Sequence, residues 1–171
     1  IGVLMAKKIS LTALFTAFAV VLSYIESFIP ITGIPGVKIG LANFAIMLAL
    51  YLLGYKEAIL INILRIIIVG AMFGNLFGIL FSISGALISF CVMAISKKIN
   101  KLSVITIAVL GGVSHNIAQL IIAGFVVETY SVVVYIPVLI ISGLITGAVI
   151  GILSEIVIKR INTVFSKVIR K

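Results

Sequence analysis

The stretch VSHNIAQL, residues 113–120, places three hydrogen-bonding side chains inside a long apolar segment. It contains His115, the only histidine of the chain, together with Asn116 and Gln119. Residues three and four positions apart share one face of a helix, so these side chains would project from the same side. An imidazole and two amides can donate and accept hydrogen bonds. They could therefore bind a polar solute, although a lone buried histidine can equally be a structural residue.

The composition indicates the kind of protein that holds these side chains. The chain has 171 residues, of which 63% are hydrophobic, and its mean hydropathy is +1.45. Soluble globular proteins are only about one half apolar. Apolar runs of the roughly 20 residues that cross a bilayer as a helix recur along the chain, without the alternation of barrel strands. The sequence predicts an all-α integral membrane protein with a single membrane domain over residues 1–171.

Charged and turn-forming residues separate six predicted transmembrane helices, at about 9–29, 39–53, 57–74, 78–96, 103–127 and 132–158. If both termini are cytoplasmic, 11 of the 13 basic residues lie on the cytoplasmic side, in agreement with the positive-inside rule. The exceptions are Lys38, in an outer loop, and Arg65, within a span. Five or seven helices would leave several lysines outside. We therefore expect a multi-pass protein of the plasma (inner) membrane, in contact with lipid.

Polar residues at membrane depth are costly and usually face a protein interior or a wet cavity. At about 1.5 Å of rise per residue, Arg65 would lie roughly 12 Å from Lys56, near the bilayer centre. His115 would lie in the outer half of its helix. Arg65 could instead anchor Asn62, and Lys38 could be a solvated loop charge. We predict a solute-binding pocket that opens outward and includes Lys38, Asn43, Arg65, His115, Asn116, Gln119 and Tyr135.

Several kinds of chemistry are not expected from this sequence. The chain contains no aspartate, so the aspartate-rich motifs that hold magnesium for prenyl transfer cannot form. One histidine and one cysteine make a dedicated zinc site improbable. The G-x-x-x-x-G-K-[ST] loop of Walker-type ATPases does not occur. We therefore predict no catalytic residue, metal or cofactor, and the basic residues at the edges of apolar runs do not indicate nucleic-acid binding.

Four segments of the chain resemble a known bacterial family. The segments are PGVKIGLANF (35–44), LLGYKEA (52–58), LGGVSHNIAQL (110–120) and YIPVLIISGLITGAVIG (135–151). They resemble the Gx transporter family, also called heptaprenyl diphosphate synthase component I, and the likeness runs from about Ala13 to Glu155. The helix that carries Arg65 adds to the likeness. That family is similar to the S components of energy-coupling factor (ECF) transporters, which are six-helix proteins that bind a micronutrient near the outer face.

The resemblance implies a mode of action. An S component docks on a T component and two ATPases, and it is thought to topple in the membrane to release its solute. Ala13 and Ala17 match the AxxxA pattern used for docking, and the loop from Ile29 to Lys38 would cover the pocket. Small residues four apart also let helices pack closely inside a bundle, which is the alternative for this pair and for Gly143, Gly147 and Gly151.

The resemblance leaves the function open between alternatives. The first is a solute-binding subunit of an ATP-driven uptake transporter. The second, from the older family name, is a non-catalytic membrane component of a heptaprenyl diphosphate synthase. The solute itself could be an isoprenoid or quinone precursor, whose diphosphate would suit Lys38 and Arg65. A third alternative, a non-transporting scaffold, would not need the polar face at all.

Overall fold

The computed structural model describes residues 2–28, 40–73, 76–127 and 134–169. It describes their side chains except those of 2–4, 73, 76–77, 126–127 and 164–169. No strand occurs in these residues, which confirms the all-α prediction for the described part of the chain. The loop at 29–39 and the turn at 74–75 lie outside it. The helices are α1 (Gly2–Ser27), α2 (Leu41–Leu52), α3 (Tyr55–Phe73), α4 (Leu76–Lys98), α5 (Val104–Val127) and α6 (Ile136–Ile169).

Four segments of these helices are long and apolar enough to cross a membrane: Met5–Ser27, Gly78–Lys98, Val104–Phe125 and Ile136–Thr163. Large apolar side chains are exposed on the bundle surface, as expected where lipid rather than water is the solvent. These features indicate a membrane protein. The six-span count and the cytoplasmic position of the termini stay predictions, since α2 has only 12 residues.

Helix α2 lies inside the bundle and packs against α1, α3 and α6. Gly40 precedes it with φ +82°, and Gly54 follows it with φ +107°. Glycine adopts these left-handed conformations without steric cost. The Gly54 N–H donates to the Ala49 carbonyl, as is common at helix C-termini. Helix α3 begins at the next residue, Tyr55. The buried residues of α2 are Ala42, Ala45, Ile46, Met47, Leu48, Ala49 and Leu50.

One end of the bundle, here called the basic end, carries most of the basic residues. Lys8 at the start of α1 forms an ion pair of 2.5 Å with Glu57 at the start of α3. Lys97, near the end of α4, donates a hydrogen bond of 2.7 Å to the Leu50 carbonyl of α2. The basic residues at this end are Lys7, Lys8, Lys56, Lys97, Lys98, Lys101, Lys159 and Arg160.

Helices α5 and α6 approach each other closely through glycines. A Cβ atom on Gly143 would lie 2.8 Å from the Val113 Cα, and one on Gly147 would lie 2.7 Å from the Val109 Cα. Real Cβ atoms essentially never approach so closely, so only glycine permits this spacing. The structure therefore uses this small-residue stripe for packing within the bundle, as in other membrane helix pairs.

The first and last helices of the chain extend beyond the predicted apolar spans. Helix α1 starts at Gly2, ahead of the predicted position 9, and α6 continues from the predicted end at 158 to Ile169. Lys159 pairs with Glu155 one turn earlier, and the Thr163 hydroxyl donates to the Lys159 carbonyl. Hydropathy marks only the part of a helix that fits the bilayer. A helix whose polar side chains pair with one another can continue past that limit.

Candidate functional site

A cavity of about 300 Å³ lies at the end of the bundle opposite the basic end. All six helices contribute residues to its wall. This volume is at the lower limit of the range typical of small-molecule pockets. The polar side chains that line it are Ser23, Glu26, Ser27, Asn43, Arg65, Ser82, His115, Asn116, Gln119 and Thr146.

Arg65 of α3 is the cation among the described lining residues, and it is only 9% exposed. Its Nε and Nη2 atoms donate to the Asn62 Oδ1 atom at 3.1 and 3.0 Å. Its Nη1 atom donates to the Ser23 hydroxyl of α1 at 3.4 Å. The Asn62 amide nitrogen donates in turn to the Ala86 carbonyl of α4. The guanidinium is therefore held in a fixed orientation by α1 and α3, and a guanidinium has five N–H donors.

Helix α5 supplies a second polar wall. His115, Asn116 and Gln119 are all buried, and all three line the cavity. The Asn116 Nδ2 atom donates to the Leu139 carbonyl of α6 at 2.9 Å, which links α5 to α6. Gly85 of α4 faces this wall, because a Cβ there would lie 2.7 Å from the Gln119 Cγ and 2.9 Å from the His115 Cε1. Helix α4 can therefore lie directly against both side chains.

Glu26 of α1 adds a carboxylate to the same cavity. Its Oε1 atom accepts a hydrogen bond of 2.5 Å from the Gly40 N–H. This bond links the end of α1 to the residue that precedes α2. Among the described lining residues, the charged side chains are Glu26 and Arg65. Their formal charges cancel. The described wall therefore offers hydrogen-bonding groups among apolar side chains but carries no net positive charge.

The sequence matches the model of a known family, described as heptaprenyl diphosphate synthase component I, over residues 15–157. The matched region includes the second half of α1, most of α6, all of α2 to α5, and every described lining residue of the cavity. The chain belongs to the heptaprenyl diphosphate synthase component I family. Neither the curated proteins nor the solved structures gave a significant match.

In this member of the component I family, five of the predicted pocket residues lie together. They are Asn43, Arg65, His115, Asn116 and Gln119, contributed by α2, α3 and α5. Tyr135, which just precedes α6, is 44% exposed and is not part of the described cavity wall. Lys38 lies outside the described residues. The structure thus brings the amide and guanidinium groups together, whereas binding by any of them stays a prediction.

Several lining residues were not among the predicted pocket residues. They include Glu26, Ser23, Ser82 and Thr146. Nothing in the sequence pattern distinguishes the three hydroxyl side chains from others in apolar helices. The Ser23 and Thr146 hydroxyls donate to carbonyls four residues earlier in their own helices, those of Ala19 and Ser142. Serine and threonine are common in apolar helices because this local bond satisfies them. Their presence in a span therefore does not indicate a pocket.

A second depression of this component I chain lies on the bundle surface between α1 and α3. It has a volume of about 750 Å³, and its wall is mostly apolar. The exposed residues Ala13 and Ala17 lie in it, and the Lys8–Glu57 ion pair lies at its basic end. We call this depression the α1–α3 groove. Small side chains make it deep enough for a partner helix to approach.

Proposed function

We propose that this chain is the membrane-embedded solute-binding subunit of an ATP-driven uptake transporter of the ECF type. The observation that supports the proposal best is the cavity surrounded by all six helices. It holds buried polar side chains, including Arg65 and Gln119, in a protein whose helices are otherwise apolar. Polar groups at such depth carry a free-energy cost that is usually offset by a function.

The proposed orientation follows from the positions of the charges. We propose that six helices span the plasma membrane of a bacterial cell as a single membrane domain, with both termini in the cytoplasm. The basic end then faces the cytoplasm, as the positive-inside rule requires. The cavity faces outward and receives a solute from outside the cell. Rigid-body reorientation of the bundle would then present the solute to the inside.

The proposed partners are a T component and two ATPase subunits, which would hydrolyse the ATP. The α1–α3 groove supports this part of the proposal, because Ala13 and Ala17 leave room there for a helix of the T component. This chain would not be an enzyme by itself. The sequence has no aspartate for a magnesium site and no Walker loop.

Co-purification and uptake test the proposal. Tagged protein from its native host should retain the T component and ATPases, and the variant A13L/A17L should lose them. The matched control is Ala6→Leu, an exposed position on the same helix outside the groove. If A13L/A17L retains the T component and ATPases as well as Ala6→Leu does, the α1–α3 groove is not the docking site. If the wild-type protein carries no ATPases, the chain is not a subunit of such a transporter.

The family description suggests a second candidate function. Heptaprenyl diphosphate synthase component I is the family description, so the chain could assist a separate soluble prenyl synthase. The catalytic magnesium site would then belong to that partner. Reconstitution distinguishes the two functions. If membranes containing this chain restore long-chain prenyl diphosphate synthesis to the soluble subunit, and no uptake depends on it, the second function is the correct one.

A further inference from the structure

Gln119 stands out among the buried polar side chains of the described residues. It is 2% exposed, yet neither its Nε2 nor its Oε1 atom has a hydrogen-bond partner in the described part of the chain. The side chain nevertheless lies in the cavity wall. A buried amide with both atoms unsatisfied is strongly unfavourable. A ligand that bonds to both atoms would remove this cost.

The neighbouring groups differ from Gln119 because their hydrogen bonds are made within the protein. The Asn116 amide nitrogen is engaged with the Leu139 carbonyl, and three donors of Arg65 are engaged with Asn62 and Ser23. Close packing against Gly85 restricts the Gln119 side chain near its Cγ atom. The amide is therefore unsatisfied, and its side chain is restricted at Cγ, as expected of a group that recognises a ligand.

A primary amide places a donor and an acceptor side by side. Its complement is a group in which an N–H lies beside a carbonyl on the same edge, as in a cyclic amide, a ureide or an imide. Two parallel hydrogen bonds then form, one in each direction. A hydroxyl group has its donor and acceptor on one oxygen, so it cannot form two parallel hydrogen bonds.

The charges of the described wall limit the solute further. Arg65 and Glu26 are the charged side chains of the described wall, and their formal charges cancel. Binding a diphosphate would introduce several negative charges next to a carboxylate in a buried site, which is costly without added cations. A solute with no net charge avoids this cost, whether it is neutral or zwitterionic.

We propose that Gln119 is the specificity-determining residue for a small solute of no net charge that presents an N–H beside a carbonyl. Both hydrogen bonds are made to the Gln119 amide, with Oε1 accepting from the ligand N–H and Nε2 donating to the ligand carbonyl. This inference rests on the proposed solute-binding role. It deepens that role by naming the chemical class of the solute.

Paired fragment probes test the inference on the purified full chain in detergent. Pyrrolidinone carries the N–H and carbonyl edge, and N-methylpyrrolidinone has the N–H replaced. Sites built around such hydrogen bonds reject analogues that lack them. In ligand-observed NMR titrations, we expect pyrrolidinone to bind at least about tenfold more tightly than its N-methyl analogue. In Gln119→Leu the preference should disappear, whereas a merely steric preference would persist.

The melting temperature of Gln119→Leu and the binding of isopentenyl diphosphate to the wild-type protein are measured as well. Gln119→Leu should melt at the same temperature as the wild-type protein or higher, because the substitution removes an unsatisfied amide. If this variant fails to fold, the probe pair on the wild-type protein still decides. Equal binding of both probes, binding of neither, or tighter binding of isopentenyl diphosphate than of pyrrolidinone would overturn the inference.

The outcome is separable from that of the proposed transport function. A preference for the N–H probe without co-purifying ATPases would support the ligand class and contradict transport. Co-purification and uptake without this preference would support transport and contradict the role of Gln119.

Discussion

Replacing Gly147 by alanine should separate α5 from α6 and destabilise the bundle. The added Cβ would lie 2.7 Å from the Val109 Cα and 2.9 Å from the Ala108 carbonyl oxygen. Ordinary van der Waals contacts of a Cβ begin at 3.4 Å, so the two backbones must move apart by about 0.7 Å. Both contacts are with backbone atoms, which cannot rotate away as a side chain can. The strain must therefore be relieved by movement of a whole helix.

The expected loss follows from this geometry. Adding a methyl group to a closely packed interface costs about 1–3 kcal/mol, and in lipid the association of helices depends mainly on such packing. For a chain of this size, 1 kcal/mol corresponds to roughly 2–4 °C in Tm. We expect Gly147→Ala to lower the Tm by about 2–12 °C. Thermal unfolding in detergent, followed by size-exclusion chromatography, measures this shift.

Val149→Ile is the matched control, because it also adds one carbon but on a residue that is 49% exposed. Its Tm should stay close to that of the wild-type protein. If Gly147→Ala and Val149→Ile have the same Tm as the wild-type protein, the close approach of α5 and α6 is wrong.

Three further predictions concern the cavity wall and the helix ends. Gly85→Ala should weaken pyrrolidinone binding at least about tenfold by displacing the Gln119 side chain; unchanged NMR titrations would contradict this. Gly40→Ala should lower the Tm more than Gly40→Asn does, because asparagine tolerates the left-handed conformation better than alanine; the reverse order would refute it. Lys97→Met should lower the Tm by about 2–4 °C through loss of its bond to the Leu50 carbonyl at the end of α2; an unchanged Tm would mean that this bond contributes nothing.

Much of the fold could be predicted because lipid imposes strong rules on the sequence. Apolar runs and the positions of the lysines predicted an all-α bundle, and the structure contains helices in all six predicted places. Helix α2 was harder to define, since its length of 12 residues is set by burial among its neighbours and by Gly40 and Gly54. Such limits come from tertiary packing and backbone conformation. Hydropathy does not report them.

The candidate site could be predicted in part. Rare polar residues in apolar helices, such as Arg65 and Gln119, stand out in the sequence, and the structure places both in one cavity. Their partners could not be assigned, because the bond from Arg65 to Ser23 joins positions 42 residues apart. The cancelling charges of Glu26 and Arg65 in the described wall were also not predicted, since Glu26 reaches the cavity only through the packing of α1 against its neighbours.

Native mass spectrometry of gently extracted protein tests most directly whether the cavity binds a solute. The comparison is between the wild-type protein and Gln119→Leu, both purified from the native host. We predict that the wild-type protein carries a small molecule of no net charge that the variant lacks. A wild-type protein that carries only detergent and lipid, or the same small molecule on both proteins, would contradict this account.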